Sequence, residues 1–384
     1  MAGARRAFLF VAVRTTTARA PGPPDDDGRR RLYVGTFTEG SPSEGIYRLS
    51  MDPASGALGE PELAARTVNP SFLAVAPDGG ALYAVNEVAE LDGEPTGAVS
   101  AFARDPATGA LAPLGRVRSG GASPCHVTLD RAGRFLLVAN YAGGSVAVLP
   151  VGTHGDVGEA VAVARHEGRG VDPARQSAPH AHCAIPDPAN HFVLVADLGL
   201  DRVIVYRFDA SRGALSPRPA AAADLADGAG PRHLAFHPVG QVVYVANEVD
   251  STVTALRHDP ASGALAELQT IAAVSETAAT RNFPADLHVH PTGRFLYVSN
   301  RGHDSIAVFA IDRTTRRLRP LQLVPTGGAW PRAFALDPSG RFLLVANQRS
   351  DSVVAFRVDE ASGRIAATGA RVEVPAPTCV RFGA

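Results

Sequence analysis

One unit recurs down this chain and leaves few folds open to it: a Pro, a short apolar strand, a turn containing Gly, a second apolar strand, then Asn. The Pro-to-Asn distance is 16 residues at 70–86, 124–140, 231–247, 284–300 and 331–347, and 18 at 179–197, where Asp197 replaces Asn. Successive Asn marks lie 54, 57, 50, 53 and 47 residues apart. Periodicity on that scale belongs to solenoids and propellers, in which neighbouring copies bury the apolar faces that one copy cannot.

Strand patterns choose between the two. The first strand, A, alternates, as in Phe72-Leu73-Ala74-Val75. The second, B, is continuously apolar, as in Phe135-Leu136-Leu137-Val138-Ala139, the pattern of a strand buried on both faces. A third alternating strand, such as Ser352-Val353-Val354-Ala355-Phe356, runs into a D-x-x-x-G-x-L turn, found at 52–58, 105–111, 209–215 and 259–265. A more polar fourth strand follows. Four antiparallel strands repeated radially predict an all-β fold, the β-propeller.

Six units are complete. Leu32-Tyr33-Val34-Gly35-Thr36 reads as a B strand without its A, and Pro377-Thr378-Cys379-Val380-Arg381-Phe382 as an A strand with nothing after it. Together they predict a seventh blade, closed by the C-terminal strand A against N-terminal strands B to D, so that no sheet edge stays open. One domain over 31–384 is expected, preceded by an extension over 1–30.

Composition narrows the function. A net charge of −1 argues against nucleic acid or an anionic membrane as partner. No apolar run reaches the roughly 18 residues of a membrane span. All 37 basic residues are Arg, which excludes Schiff-base chemistry on Lys. Cys125, Cys183 and Cys379 are odd in number and widely spaced, so they read as buried thiols in a reducing compartment. Arg5-Arg6-Ala7-Phe8-Leu9-Phe10 resembles a twin-arginine export signal, with Ala18-Arg19-Ala20 as a cleavage site. Its apolar run is short and Arg14 closes it, which favours a disordered extension on a cytoplasmic, monomeric protein; export is the alternative.

A repeat is its own control. Residue types present in every blade serve the scaffold, so the recurring Asn is read as a backbone cap. Exceptions need another explanation. The start of A and the end of B share one end of the ring, so residues just after Pro and just after Asn converge on one mouth. There the chain gathers Arg232, Arg301 and Arg332, His126 and His233, and Glu87, Glu248 and Asp286. In Pro179-His180-Ala181-His182 two extra residues leave the register open, so either His180 or His182 takes the first position. Cations and imidazoles around a few carboxylates suit a small anionic molecule. His303, in the loop after Asn300, is a further candidate contact. An ion pair is the alternative role for Arg232 and Glu248. His237, His288 and His290 are expected near the far turns, structural or solvated. No metal or cofactor is expected: His180-Ala181-His182 is a poor zinc signal, and Arg301 with Arg332 would repel a cation. No G-x-S-x-G elbow is present, and no Cys stands beside a base at readable spacing.

Pro179-His180-Ala181-His182 with Ala196-Asp197-Leu198-Gly199-Leu200-Asp201, Gly230-Pro231-Arg232-His233-Leu234-Ala235-Phe236-His237-Pro238, and Ser299-Asn300-Arg301-Gly302-His303-Asp304-Ser305-Ile306 resemble the seven-bladed 6-phosphogluconolactonase family, which includes carboxymuconate cyclases. The resemblance covers 32–384. It implies hydrolysis of a sugar lactone, 6-phosphogluconolactone of the pentose phosphate pathway first. A cycloisomerase or lactonase on a muconate-type substrate, or a non-catalytic binding platform, are the alternatives. Carried over, it points to a His of the 180/182 pair, Arg232, Glu248 and Arg301. His182 or Glu248 would be the base, Arg232 would polarise the carbonyl, and Arg301 with Arg332 would hold phosphate.

Overall fold

A computed structural model describes residues 28–274 and 281–383. Its strands form seven antiparallel sheets around a ring with strand A innermost, six of four strands and one of five, in which both Ala214–Leu215 and Ala221–Asp224 pair with Arg202–Asp209. Blades 1 to 6 follow chain order, from the sheet opening with Leu73–Val75 to the one opening with Pro331–Leu336. The seventh joins Pro377–Phe382 to Arg30–Thr36, Gly45–Met51 and Glu62–Arg66, with Leu32 opposite Phe382 and Val34 opposite Val380. The protein is a seven-bladed β-propeller closed by its two ends. The proposed export signal lies outside the described residues.

Each B strand is buried along its length, as in Phe135–Asn140, Val242–Asn247 and Phe342–Asn347. The core lies between blades, where B-strand side chains of one sheet meet those of the next. Val242, Tyr244 and Ala246 of blade 4, for instance, pack with Leu296 and Val298 of blade 5. The D-x-x-x-G turn has a second purpose there. Gly56, Gly213, Gly263 and Gly363 all have positive φ, and a Cβ on each would fall 2.3 to 2.7 Å from the Phe that opens strand B of the preceding blade. Glycine is required both for the turn and for flush contact with that ring.

The recurring Asn residues tie strand B to the connection arriving from the preceding blade or to the next strand of their own. Asn86 Nδ2 donates to Thr67 Oγ1 (2.8 Å) and to the Val68 carbonyl (2.6 Å), and Asn247 Nδ2 to Thr252 and Thr254. In blade 3 the exception has its own partner: Asp197 Oδ2 lies 2.5 Å from His166 Nδ1. His237 and His290 are structural, their Nε2 atoms reaching the carbonyls of Gly293 and Gly340 in the next blade. The three cysteines are buried free thiols.

Candidate active site

Every strand A but the first enters its ladder through a β-bulge. Pro231 pairs with Asn247 and His233 with Ala246, so Arg232 is left out. Cys125, Arg332 and Thr378 are left out in the same way in blades 2, 6 and 7. In blade 5 the break takes in Ala285 and Asp286. A bulge frees a side chain from the alternation of the strand and re-aims it, here toward the central channel.

Blade 3 settles the open register. Ala181 pairs with Asp197 and Cys183 with Ala196, so the residue left out is His182. Ala181 therefore stands where other blades have Pro, sixteen residues before Asp197, and there is no insertion. His180 precedes that position. Its backbone carbonyl accepts from Leu198, its ring stacks on Tyr141 at 4.3 Å, and its Nδ1 sits 3.1 Å from the Tyr141 carbonyl.

At the mouth, Glu248 is a hub. Its Oε2 lies 3.0 Å from Arg232 Nε and 2.6 Å from Arg301 Nη2, and its Oε1 meets Arg175 Nη2. Glu248, Arg232 and Arg301 are all buried. Burial alone would push the Glu248 carboxyl up, but the three guanidiniums outweigh it and hold the group well below the usual carboxylate range. Arg232 also donates to the Ala285 carbonyl (2.6 Å), and Arg301 to that of Phe283 (3.3 Å). Arg332 stands on the same ring of bulge residues, 3.6 Å from Glu87 and over the Phe37 ring. Arg301 and Arg349 lie 5.4 and 3.5 Å from the ring of Trp330. His303 bonds to its neighbour Ser305.

Arg175 is the residue the sequence reading missed. It lies in the long loop before strand A of blade 3, and that loop is anchored from below. Gln176, fully buried, donates to the Leu198 carbonyl (2.9 Å) and to Asp201 Oδ1 (2.6 Å). Gly199 lets the loop close, since a Cβ there would lie 2.0 Å from the Ala178 carbonyl. Asp201 also accepts from the backbone of Gly228 and Gly230, fixing the entry to Arg232. Asp304 and Asp351 do the same for the next blades, accepting from Trp330 N and Ala376 N.

A second layer lies one residue deeper. His233 Nδ1 is 2.8 Å from Asp286 Oδ1, and His288 Nε2 is 3.2 Å from Asp286 Oδ2. His288 thus belongs to the channel, not to the far turn. The rings of His126 and His182 lie 5.5 and 5.4 Å from that of His233. Neighbouring strands also exchange partners: Cys125 Sγ is 3.7 Å from His182 Nδ1, and Cys183 Sγ is 3.5 Å from His126 Nε2. That pairing across blades was invisible to spacing along the chain. Burial pushes the Cys125 thiol well up and Cys183 to about 12, so neither is a ready nucleophile. Burial pushes His126 and His182 well below the ordinary imidazole value and His233 to about 4. All three are neutral at pH 7. The mouth can therefore offer fixed positive charge to an oxyanion and a neutral imidazole to a proton.

Among the described residues, no group of three or more His, Cys, Asp or Glu is placed to hold a metal ion. Nor, among the described residues, is any helix long and apolar enough to cross a membrane.

Comparison with known proteins agrees with this architecture. Residues 31–382 match the family model described as lactonase, 7-bladed beta-propeller. A 6-phosphogluconolactonase of Bacillus subtilis is 39% identical over 350 residues, 91% of this chain and 97% of the relative. One from Formosa agariphila is 34% identical over 80% of this chain and 86% of its own. The solved structure of the Pseudomonas aeruginosa periplasmic gluconolactonase superposes with a TM-score of 0.86 at 36% identity, covering 93% of this chain and 99% of that one. Identity of this extent over the whole ring, on the same blade count, makes the chain a member of the seven-bladed β-propeller lactonase family.

Proposed function

We propose that this protein hydrolyses a sugar lactone, with 6-phosphogluconolactone as substrate and 6-phosphogluconate as product, and that the channel mouth around Glu248 is its active site. The observation that carries the reading is the meeting of Arg175, Arg232 and Arg301 on one carboxylate beside neutral His182. The names of the relatives supply the substrate class.

In the reaction a water oxygen bonds to the lactone carbonyl carbon while His182 takes its proton. The carbonyl oxygen becomes an oxyanion and is stabilised by guanidinium charge fixed in advance, Arg232 foremost. Collapse breaks the ring C–O bond. The leaving alkoxide takes the proton from His182, and the new carboxylic acid ionises at neutral pH, so each turnover releases one proton. Glu248 is not the base in this scheme. A carboxylate held ionised by three arginines is a weak proton acceptor, and its role is to keep buried guanidiniums charged and aimed. His233 and Asp286 support the site from beneath, and Arg332 is the cation left to grip a phosphate.

The phosphorylated substrate belongs in the cytoplasm. Export of the kind named for the Pseudomonas relative would shift the reading to an unphosphorylated lactone. The test is proton release from purified protein given 6-phosphogluconolactone or gluconolactone, with and without chelator. Release no faster than spontaneous hydrolysis with both would end the proposal.

A further inference from the structure

The far end of the channel holds a second concavity that the chemistry above does not use. It has a volume of about 440 Å³ and lies between blades 1, 2 and 7, reaching from Phe72 and His126 down to the A–B turns at Pro77 and Arg131. Strand A of the closing blade contributes a guanidinium here. At the channel position of Arg381, blades 3 and 5 carry Ile185 and His288, and blades 1, 2, 4 and 6 carry Ala74, Thr128, Ala235 and Ala335. Those small side chains leave the space into which Arg381 extends.

Among the described residues Arg381 has no counter-ion. Its guanidinium lies 4.5 Å from the centre of the Phe72 ring, and its hydrogen bond is to the carbonyl of Val380, the residue before it (2.8 Å). It forms no ion pair among the described residues. At the mouth, by contrast, Arg175, Arg232, Arg301 and Arg332 all face carboxylates. Arg131, on the rim of the same cavity, donates to the carbonyls of Asp187 and Pro186. The acid in the lining, Asp130, is occupied: it accepts from the backbone of Ala132, Arg134 and Phe135 and from Asn190 Nδ2. It is bonded within its own turn and to Asn190, and forms no ion pair with Arg381.

A half-buried guanidinium stacked on an aromatic face keeps its N–H edge free for a planar or tetrahedral oxyanion. We propose that this cavity is a second anion site, separate from the active mouth, where Arg381 binds a small phosphate or carboxylate with Arg131 at the rim. Volume and lining suit a ligand with a short apolar or sugar-like body resting on Phe72 and Phe382. Phe72 also touches the second layer, its ring 4.4 Å from His126 and 5.5 Å from His233, so occupancy at Arg381 is felt beneath the active site.

The probe is inorganic phosphate, titrated calorimetrically into the full chain. Trp330, the sole Trp, stands at the active mouth beside Arg301 and Arg349, so its fluorescence reports phosphate there and not at the far end. The expected result is saturable heat beyond the Trp330 signal. It persists in Arg332→Gln, weakens at least tenfold in Arg381→Gln, and falls by an intermediate factor in Arg381→Lys, which keeps the charge but not the fork. Circular dichroism checks that the variants are folded; if Arg381→Gln is not, Arg381→Lys and Arg131→Gln carry the comparison. Two results overturn the site: unchanged binding in folded variants at 381, or heat in the wild type fully accounted for by Trp330. Retention of wild-type binding by Arg131→Gln would remove Arg131 from it. Because lactone turnover is not read, failure here leaves the hydrolytic reading untouched.

Discussion

His182 and Arg232 occupy the same position of two neighbouring blades: each is the residue left out of the ladder where strand A begins. One bulge presents an imidazole and the next a guanidinium, and the positive charge of Arg232 adds to burial in holding His182 neutral. The repeat itself thus gives the proposed base and the proposed oxyanion donor equivalent places in adjacent blades.

That equivalence predicts which histidine matters. His182→Gln should lower kcat by roughly 10² or more, the usual worth of a placed general base, whereas His180→Gln, which loses a stack on Tyr141 and a contact with its carbonyl, should stay within a few-fold. Steady-state kinetics on both variants decide it, and the reverse ranking would move the base to His180.

Removing Arg232 takes away the charge proposed to meet the oxyanion. Arg232→Ala should reduce kcat/KM by roughly 10² or more. Full activity in that variant would remove Arg232 from the chemistry.

Glu248 should behave as a structural counter-ion. Glu248→Ala leaves Arg232 and Arg301 buried without compensation and should cost about 3 to 5 kcal/mol of stability, read by denaturant unfolding. A variant as stable as the wild type and merely inactive would return Glu248 to the role of base.

The buried imidazoles give stability a pH dependence of known sign. His126, His182 and His233 have folded-state pKa values below the ordinary 6.5, that of His233 about 4. The unfolded chain therefore takes up protons first as pH falls below 6.5, and folding weakens by about 1.4 kcal/mol per pH unit for each group until its own folded value is reached. Tm should be flat above pH 7 and fall steeply between 6.5 and 5. For the same reason kcat/KM should hold level from pH 8 to below 6.5, with an acid limb that moves up in Arg332→Gln, since Arg332 also depresses His182. A wild-type limb centred at 6.5 would count against His182 as the base.

Arg332 should set preference for phosphate. Arg332→Gln is expected to raise KM for 6-phosphogluconolactone roughly tenfold while leaving that for gluconolactone within two-fold. Equal effects on both would place the phosphate elsewhere.

Much of this molecule is local and periodic, and so was readable along the chain. Blade number, ring closure and the convergence of odd residues on one end follow from strand pattern and from Pro and Asn at fixed spacing, because six of the seven blades are built from contiguous residues. What the sequence left open was contact between blades. Anchoring blade 3 on Pro179 left its register open between His180 and His182, since Ala181 takes the Pro position and only pairing with Asp197 reveals it. Arg175 reaches Glu248 across 73 positions, Cys125 reaches His182 across 57, and His233 meets Asp286 across 53. No periodicity encodes those partners. Adjacent sheets bring them together, and burial then decides the chemistry by turning Glu248 into a fixed anion and His182 into a neutral base.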